Sequence, residues 1–240
     1  MASQPVDLAA HRIRVFACTL HNHDYLWFSS QEIGKRSVTY PVVHNYALSY
    51  ALSDFSYGIR SSNSPSYEAD LAQMPLYATP ATSTSATFIR LTYNAVNSRS
   101  LRTDDAARGI NSPDLGWRVY VVPSVRSVNE DSVAGFTCFV FTFDGSKPRG
   151  VVRLGKKGAS VRVTHQEIER PRAFFLAEPV RVSHLVNPLD VAGEILAYDP
   201  IAIPPHLLLR SAVIRNDWFI RSGWEQIHVP QRIVHRLGTS

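Results

Sequence analysis

Gly135 to Asp144 carries apolar side chains on both parities of an extended strand. Phe139, Phe141 and Phe143 fall on one face, and Phe136, Cys138 and Val140 on the other. A strand that is apolar on both faces has to be covered on both faces. A fold built on it therefore needs a layer above and a layer below. The expectation is a buried core strand. The alternative is that one aromatic face stays open as a platform for stacking bases.

Hydrophobic residues make up 45% of the 240, enough to build those layers and to argue against global disorder. Shorter strand patterns recur along the chain. His11 to Leu20, Leu76 to Ala78, Thr87 to Ala95 and Gly116 to Val122 read as strands, as do Val180–His184, Ile195–Tyr198, Val213–Arg215 and Ile227–Val234. Leu207 to Leu209 fits a strand or one helical turn. The clearest helix begins near Pro41, with Val43, Tyr46, Ala47, Tyr50 and Ala51 as its buried stripe. Residues 56–87 are dominated by Ser, Asn, Pro, Thr and Ala. A second irregular stretch, Asn97 to Pro113, carries Arg99, Arg102 and Arg108. The fold class expected is α+β and β-rich. It is read as one domain over residues 1–240, with a projecting, partly basic arm within 56–113 and a β-rich C-terminal part at 170–240.

The functional signal is Val151 to Val163, which reads as strand, tight turn, strand around Gly155-Lys156-Lys157-Gly158. The glycines permit positive φ, and the lysines, with Arg153 and Arg162 beside them, put positive charge at one tip. Such a tip suits a polyanion; a solvated basic hairpin is the plainer reading. Gly150 to Lys157 nearly spells a nucleotide-hydrolase phosphate loop. It fails because Lys157 replaces the required hydroxyl and a strand, not a helix, follows. Net charge +5 and a pI of about 9.4 favour an anionic partner.

Other chemistry leaves little trace. The two cysteines, Cys18 and Cys138, sit in apolar runs and read as buried free thiols. His21-Asn22-His23 is a surface loop unless a third metal ligand arrives. The other histidines lack metal-ligand spacing, so neither a metal nor a cofactor is expected. Asp104-Asp105, Glu130-Asp131 and Glu167/Glu169 look like solvated surface. No apolar run is long enough to span a bilayer and no secretory pattern opens the chain, which points to the cytoplasm. A metal-independent RNA-cleaving site needs only a base, an acid and a cation. His21, His44 or Tyr46 with Lys156 could supply them, so an endoribonuclease stays open as the alternative.

Phe28-Ser-Ser-x-Glu-Ile-Gly, the Pro41-Val-Val-His-Asn-Tyr-Ala-Leu-Ser-Tyr-Ala-Leu52 block and Val152-Arg-Leu-Gly-Lys-Lys157 together resemble the type I-D CRISPR effector subunit Csc-one, a branch of the Cas-five family. The resemblance implies a ferredoxin-like, RNA-recognition-type core with an inserted β-rich arm or thumb. It implies a non-catalytic, RNA-binding place in the Cascade ribonucleoprotein, holding the 5′ handle of the CRISPR RNA and capping the backbone filament. Its neighbours there would be the backbone subunit, the large subunit and target DNA. By position, Arg153, Gly155, Lys156 and Lys157 fall on the family's basic turn. Lys35, Arg36, His44 and Asn45 fall in the earlier block, with Asn45 or His44 as candidates for reading base edges. Arg99, Arg102 and Arg108 extend the expected contact onto the arm. A ferredoxin-like core wants two helices, and only one is evident.

Overall fold

The computed structural model describes residues 4–33, 36–53, 66–96, 113–123 and 135–238. Phe136–Thr142 lies inside a seven-stranded antiparallel sheet. Its order runs Val151–Leu154, Ala159–Glu167, Arg14–Asn22, Phe136–Thr142, Ala81–Thr82, Val42–Val43, with Leu76–Ala78 also paired to Phe136–Thr142.

Both faces of the central strand are buried, as its two-sided pattern demands. Phe136, Cys138 and Val140 pack with Phe16, Leu20, Val161 and the helix residues Leu48 and Leu52. Phe139 and Phe141 pack on the other side with Val15, Trp218, Ile220, Ile227 and Ile233 from the C-terminal part. The central strand therefore presents no open aromatic platform. Cys18 and Cys138 face each other across the ladder, both buried and unbridged.

The helix α1 spans Asn45–Leu52 and starts later than its sequence suggests. Val42 and Val43 are drawn into the sheet edge against Thr82 and Ala81. His44 then becomes the N-cap, its Nδ1 accepting the Tyr46 N–H at 3.3 Å. Leu48 and Leu52 are more deeply buried than Ala47, Tyr50 and Ala51, so the buried surface of α1 differs from the expected stripe. The helix is covered on two sides, because Leu48 and Leu52 enter one core and Tyr46 the other. A single-stripe reading fails on a helix buried nearly all round.

Two further helices lie where strand or loop was expected. α2, Tyr67–Gln73, buries Leu71, and its Asp70 accepts a hydrogen bond from the Tyr50 hydroxyl of α1. α3, Gln231–Arg236, occupies part of the Ile227–Val234 stretch; the strand there stops at His228, and Pro230 starts the helix. Leu208–Arg215 is a strand, which resolves the ambiguity at Leu207–Leu209.

The C-terminal part supplies the second layer. One sheet runs Val6–Asp7, Arg172–Leu176, Asp217–Ser222, Glu225–His228, and another Val180–Arg181, Leu208–Arg215, Glu194–Ile201. Asp217, fully buried, ties this layer together. Its Oδ2 accepts the Ala192 and Gly193 N–H groups at 3.0 and 2.9 Å and meets His228 Nε2 at 3.1 Å, while Oδ1 accepts the Trp218 N–H at 2.8 Å. Burial alone would raise its pKa, but the His228 contact and these amides outweigh it and hold the carboxyl below its usual range.

A last sheet stands apart, in the order Gln31–Ile33, Arg36–Val38, Pro113–Val121, Phe88–Val96. Phe88–Val96 and Pro113–Val121 form a long antiparallel pair, and Arg36–Val38 joins it in parallel. The residues joining that pair, with Arg99, Arg102 and Arg108, lie outside the described residues. So do Lys35, Asp104-Asp105 and Glu130-Asp131. No described helix is long and apolar enough to cross a membrane.

Candidate nucleic-acid interface

Leu154 pairs with Ala159, which leaves Gly155 to Gly158 as the turn. Both glycines take positive φ, +78° and +63°. Gly155 is required for a second reason: a β-carbon there would stand 2.7 Å from the Trp27 carbonyl oxygen. That close approach lets the Lys156 N–H donate to the same oxygen at 2.9 Å. Gly158 N–H donates to the Gly155 carbonyl at 3.0 Å, and Arg153 Nη1 to the Gly158 carbonyl at 3.0 Å. The turn is thus pinned to the loop before the Gln31 strand. Two of its four amides are engaged inside the protein, so the turn is not a backbone cradle of free N–H groups. An anion at this tip would be met chiefly by lysine side chains.

Lys156 is about half exposed. Its Nζ lies 3.7 Å from Glu32 and 5.3 Å from the centre of the Trp27 ring. Glu32 is held below its usual range by the Ser29 hydroxyl and by the Lys156 charge. The Trp27 indole donates to Ser37 Oγ at 3.1 Å and carries the Arg118 guanidinium 4.1 Å over its ring. Lys157 and Arg153 are exposed. Trp27 and Arg118 had no linear signal; the hairpin and the separate sheet meet through them only in three dimensions.

Beside the turn opens a pocket of about 650 Å³, with Phe28, Tyr46, Tyr67 and Pro204–Pro205 in its wall, His44 lining it, and Lys156 among its residues. The fold therefore brings Lys156 and His44, which are 112 positions apart, to one cavity. His44 is 7% exposed, and its pKa is lowered to about 3 by burial and by the nearby His206, with the His206 backbone carbonyl pulling slightly the other way. It is therefore neutral at neutral pH. Nδ1 accepts the Tyr46 N–H, which leaves the proton on Nε2. Neither ring nitrogen is then free to take a proton.

Asn45 does not reach the surface. It is fully buried: its amide donates to the Tyr77 hydroxyl at 2.7 Å, and its oxygen accepts from Asn187 at 3.3 Å. Tyr77 in turn donates to Asp190 at 2.7 Å, and His206 Nε2 lies 2.9 Å from Asn187 Oδ1. The Asp190 carboxyl is pushed up to about 6 by burial, against the Tyr77 hydrogen bond and the charges of His228 and Arg232. The expected base-edge contact by Asn45 is corrected to a structural role, because its polar groups are taken up by this network. Arg36 is exposed, but on the face of its sheet opposite Ser37 and Trp27. Glu167 is exposed, as expected, and there it grips Arg14 through both oxygens at 2.7 and 2.6 Å.

No curated protein matches the chain. Among solved structures, one titled "Cryo-EM structure of the Type III-B Cmr-beta bound to cognate target RNA and AMPPnP, state 1" is similar over 83% of this chain and 86% of that one, at 10% identity and a TM-score of 0.43. The family model described as type I-D CRISPR-associated protein Cas5/Csc1 matches residues 13–236. With nearly the whole length matched, the chain belongs to the Cas5/Csc1 family of type I-D CRISPR-associated proteins.

Proposed function

We propose that this chain is a non-catalytic RNA-binding subunit of a type I-D Cascade complex in the cytoplasm, with Lys156 and Lys157 against the backbone of the CRISPR RNA 5′ handle. The observation that carries this reading is the turn itself: a two-lysine tip whose position is set by Gly155 and Lys156 on the Trp27 carbonyl. A rigid tip loses little entropy when it meets a strand of phosphates. The aromatic pocket beside it suits an unstacked handle base. The backbone subunit, the large subunit and target DNA are the neighbours such a place in the complex demands.

A ferredoxin-like core is supported by strand order. Ala159–Glu167, Arg14–Asn22, Phe136–Thr142 and the Leu76–Thr82 pair of strands lie side by side, all antiparallel, with α1 between the first and second in sequence. That is a split β-α-β arrangement. Between Phe136–Thr142 and Ala159–Glu167, where a second helix would stand, the chain makes Val151–Leu154 of the basic hairpin instead.

The rival reading, a metal-independent endoribonuclease, draws on the meeting of His44, Tyr46 and Lys156 at one pocket. The placement of protons disfavours it. His44 has no nitrogen free to act as base, and the Tyr46 hydroxyl is held above its usual pKa by burial. Incubating the purified chain with repeat RNA and EDTA separates the two readings: defined cleavage products mean the nuclease. Co-expression with a CRISPR array and the neighbouring subunits tests binding, because a particle with a 260/280 nm absorbance ratio of bare protein would count against it.

A further inference from the structure

A second groove, of about 890 Å³, lies between the edge of the central sheet and the three-stranded sheet of the C-terminal part. Residues 40–42 and 82–84 make one wall, and residues 181–185, 200–202 and 210–211 the other. Regular strand alternation would not turn Arg210 and Ser211 to the same side. Leu209 and Ala212 both enter the inner core, three positions apart. Ala197 pairs with Val213 and Asp199 with Arg210, so two steps on one strand meet three on the other. Ser211 sits in that irregularity at φ +53°. Such a bulge re-aims side chains, and here it presents both Arg210 and Ser211 to the groove. Arg181, exposed on the neighbouring Val180–Arg181 strand, has no carboxylate partner among the described residues. Arg210 has Asp199 at 3.8 Å, but both side chains are more than half exposed, so the pair binds loosely. On the facing wall Ser83 is 7% exposed, and its Oγ has no hydrogen-bond partner. The Thr82 and Ser183 hydroxyls are spent on the Pro41 and Gln226 carbonyls, at 3.3 and 3.1 Å. A buried hydroxyl left without a partner is costly, and Ser83 is the one that a bound group would satisfy.

We propose that this groove takes an extended acidic segment of another protein chain, with its carboxylates on Arg181 and Arg210. Successive side chains of an extended peptide point to opposite sides. Carboxylates can therefore meet the arginines while the alternate, apolar side chains meet the aliphatic wall of Val42, Val182, Leu185 and Ile201. The peptide backbone brings the donors and acceptors that Ser83 lacks. Single-stranded nucleic acid is the less suited polyanion, because it binds best where open rings stack its bases. The wall's aromatic rings are Tyr40 and His184, and both are held by the protein. The Tyr40 hydroxyl donates to Gln31 at 2.6 Å. His184 Nδ1 donates to the Leu185 carbonyl at 2.7 Å, and its Nε2 accepts the His228 N–H at 3.1 Å. Val42 lines both this groove and the aromatic pocket, which sets the partner beside the basic turn. The inference rests on the reading of this chain as a subunit of a multi-protein complex, and makes no use of the lysines.

The test uses the full chain co-expressed with a CRISPR array and the neighbouring subunits. Arg181→Glu with Arg210→Glu is expected to weaken the chain's hold on the purified complex about tenfold, read by dilution. The melting temperature of the isolated variant and its affinity for handle RNA should stay at wild-type values. In a second preparation, Arg181→Lys with Arg210→Lys keeps the charge and adds amines that a water-soluble carbodiimide can join to a touching carboxylate. Mass spectrometry is expected to find those amines joined to an aspartate or glutamate of another chain. An undiminished hold on the complex by the Arg→Glu variant overturns the inference. So do cross-links that reach only Asp199 of the same chain, or none at all. A matching loss of RNA affinity in the isolated Arg→Glu variant overturns it in favour of nucleic acid. If the wild-type chain joins no complex, the subunit reading falls and this inference with it. Dissociation on arginine reversal supports it even where Lys156→Ala and Lys157→Ala leave RNA binding intact.

Discussion

Gly155 and Trp27 are in direct backbone contact: the glycine α-carbon lies so near the Trp27 carbonyl that a β-carbon would come within 2.7 Å of it. The relationship fixes where the lysine tip points. Gly155→Ala adds a clash with backbone to a left-handed φ that costs about 1–2 kcal/mol by itself. The expected result is a lower melting temperature together with weaker RNA binding, although no charge is altered. Gly158→Ala, with open space around it, is expected to show only the backbone cost. Equal effects at the two glycines would contradict the docking argument.

Replacing Lys156 and Lys157 by alanine should reduce the dependence of log K on log salt by about 0.7 for each phosphate the lysines had neutralised. Titrations of handle RNA at several salt concentrations measure this directly. Lys156 engages Glu32 as well, so Glu32→Gln is expected to free Lys156 and strengthen binding slightly. A salt slope that does not move in the lysine variant would place the RNA backbone elsewhere on the protein.

Asn45→Ala separates structure from recognition. It leaves the Tyr77 hydroxyl and the Asn187 amide short of partners in a buried site. The expected loss is about 1–3 kcal/mol of folding stability by urea unfolding. RNA affinity of the folded fraction should stay unchanged. A variant of wild-type stability with impaired RNA binding would restore Asn45 as an RNA-touching residue.

Asp217→Ala is expected to destabilise by about 3–5 kcal/mol, since it strips partners from buried His228 and from three backbone amides. Chemical denaturation at neutral pH reads this out. Its pH signature follows from a folded pKa below the unfolded one: the contribution is full above the unfolded value and fades as pH falls through the folded one. Comparing wild type with the variant across the acid range should therefore show the gap closing on acidification.

Asp190 has the opposite sign. Its folded pKa, raised to about 6, exceeds that of an unfolded aspartate, so between about pH 4 and 6 the folded state holds the extra proton. Its ionisation weakens folding as pH rises through that window. Asp190→Asn keeps a partner for Tyr77 and removes the charge. The variant should gain on wild type in unfolding free energy from pH 4 to pH 7. His44 and His184, both lowered to about 3, act against this, since they favour unfolding as pH falls below their unfolded values. They are common to both proteins and cancel in the difference.

The central strand was legible in local pattern: Phe136 to Phe143 is apolar on both parities, which favoured a strand covered on both faces over one with an open aromatic face. The basic turn was legible too, because Gly-Lys-Lys-Gly between β-branched runs has few other shapes. Both are local patterns, written within a dozen residues. What those patterns touch depends on contacts between residues far apart in the chain. α1 begins at Asn45 because Val42 and Val43 find strand partners at Ala81 and Thr82, which no local window contains. α2 and α3 lie in composition that reads as loop and strand, and they are helical because Leu71, Ile233 and Val234 have cores to enter. Asn45 faces inward because Tyr77 and Asn187, far along the chain, hold its amide. The two faces of the separate sheet were likewise illegible in sequence, since which face is covered depends on Trp27 reaching Arg118 and Ser37 across the fold.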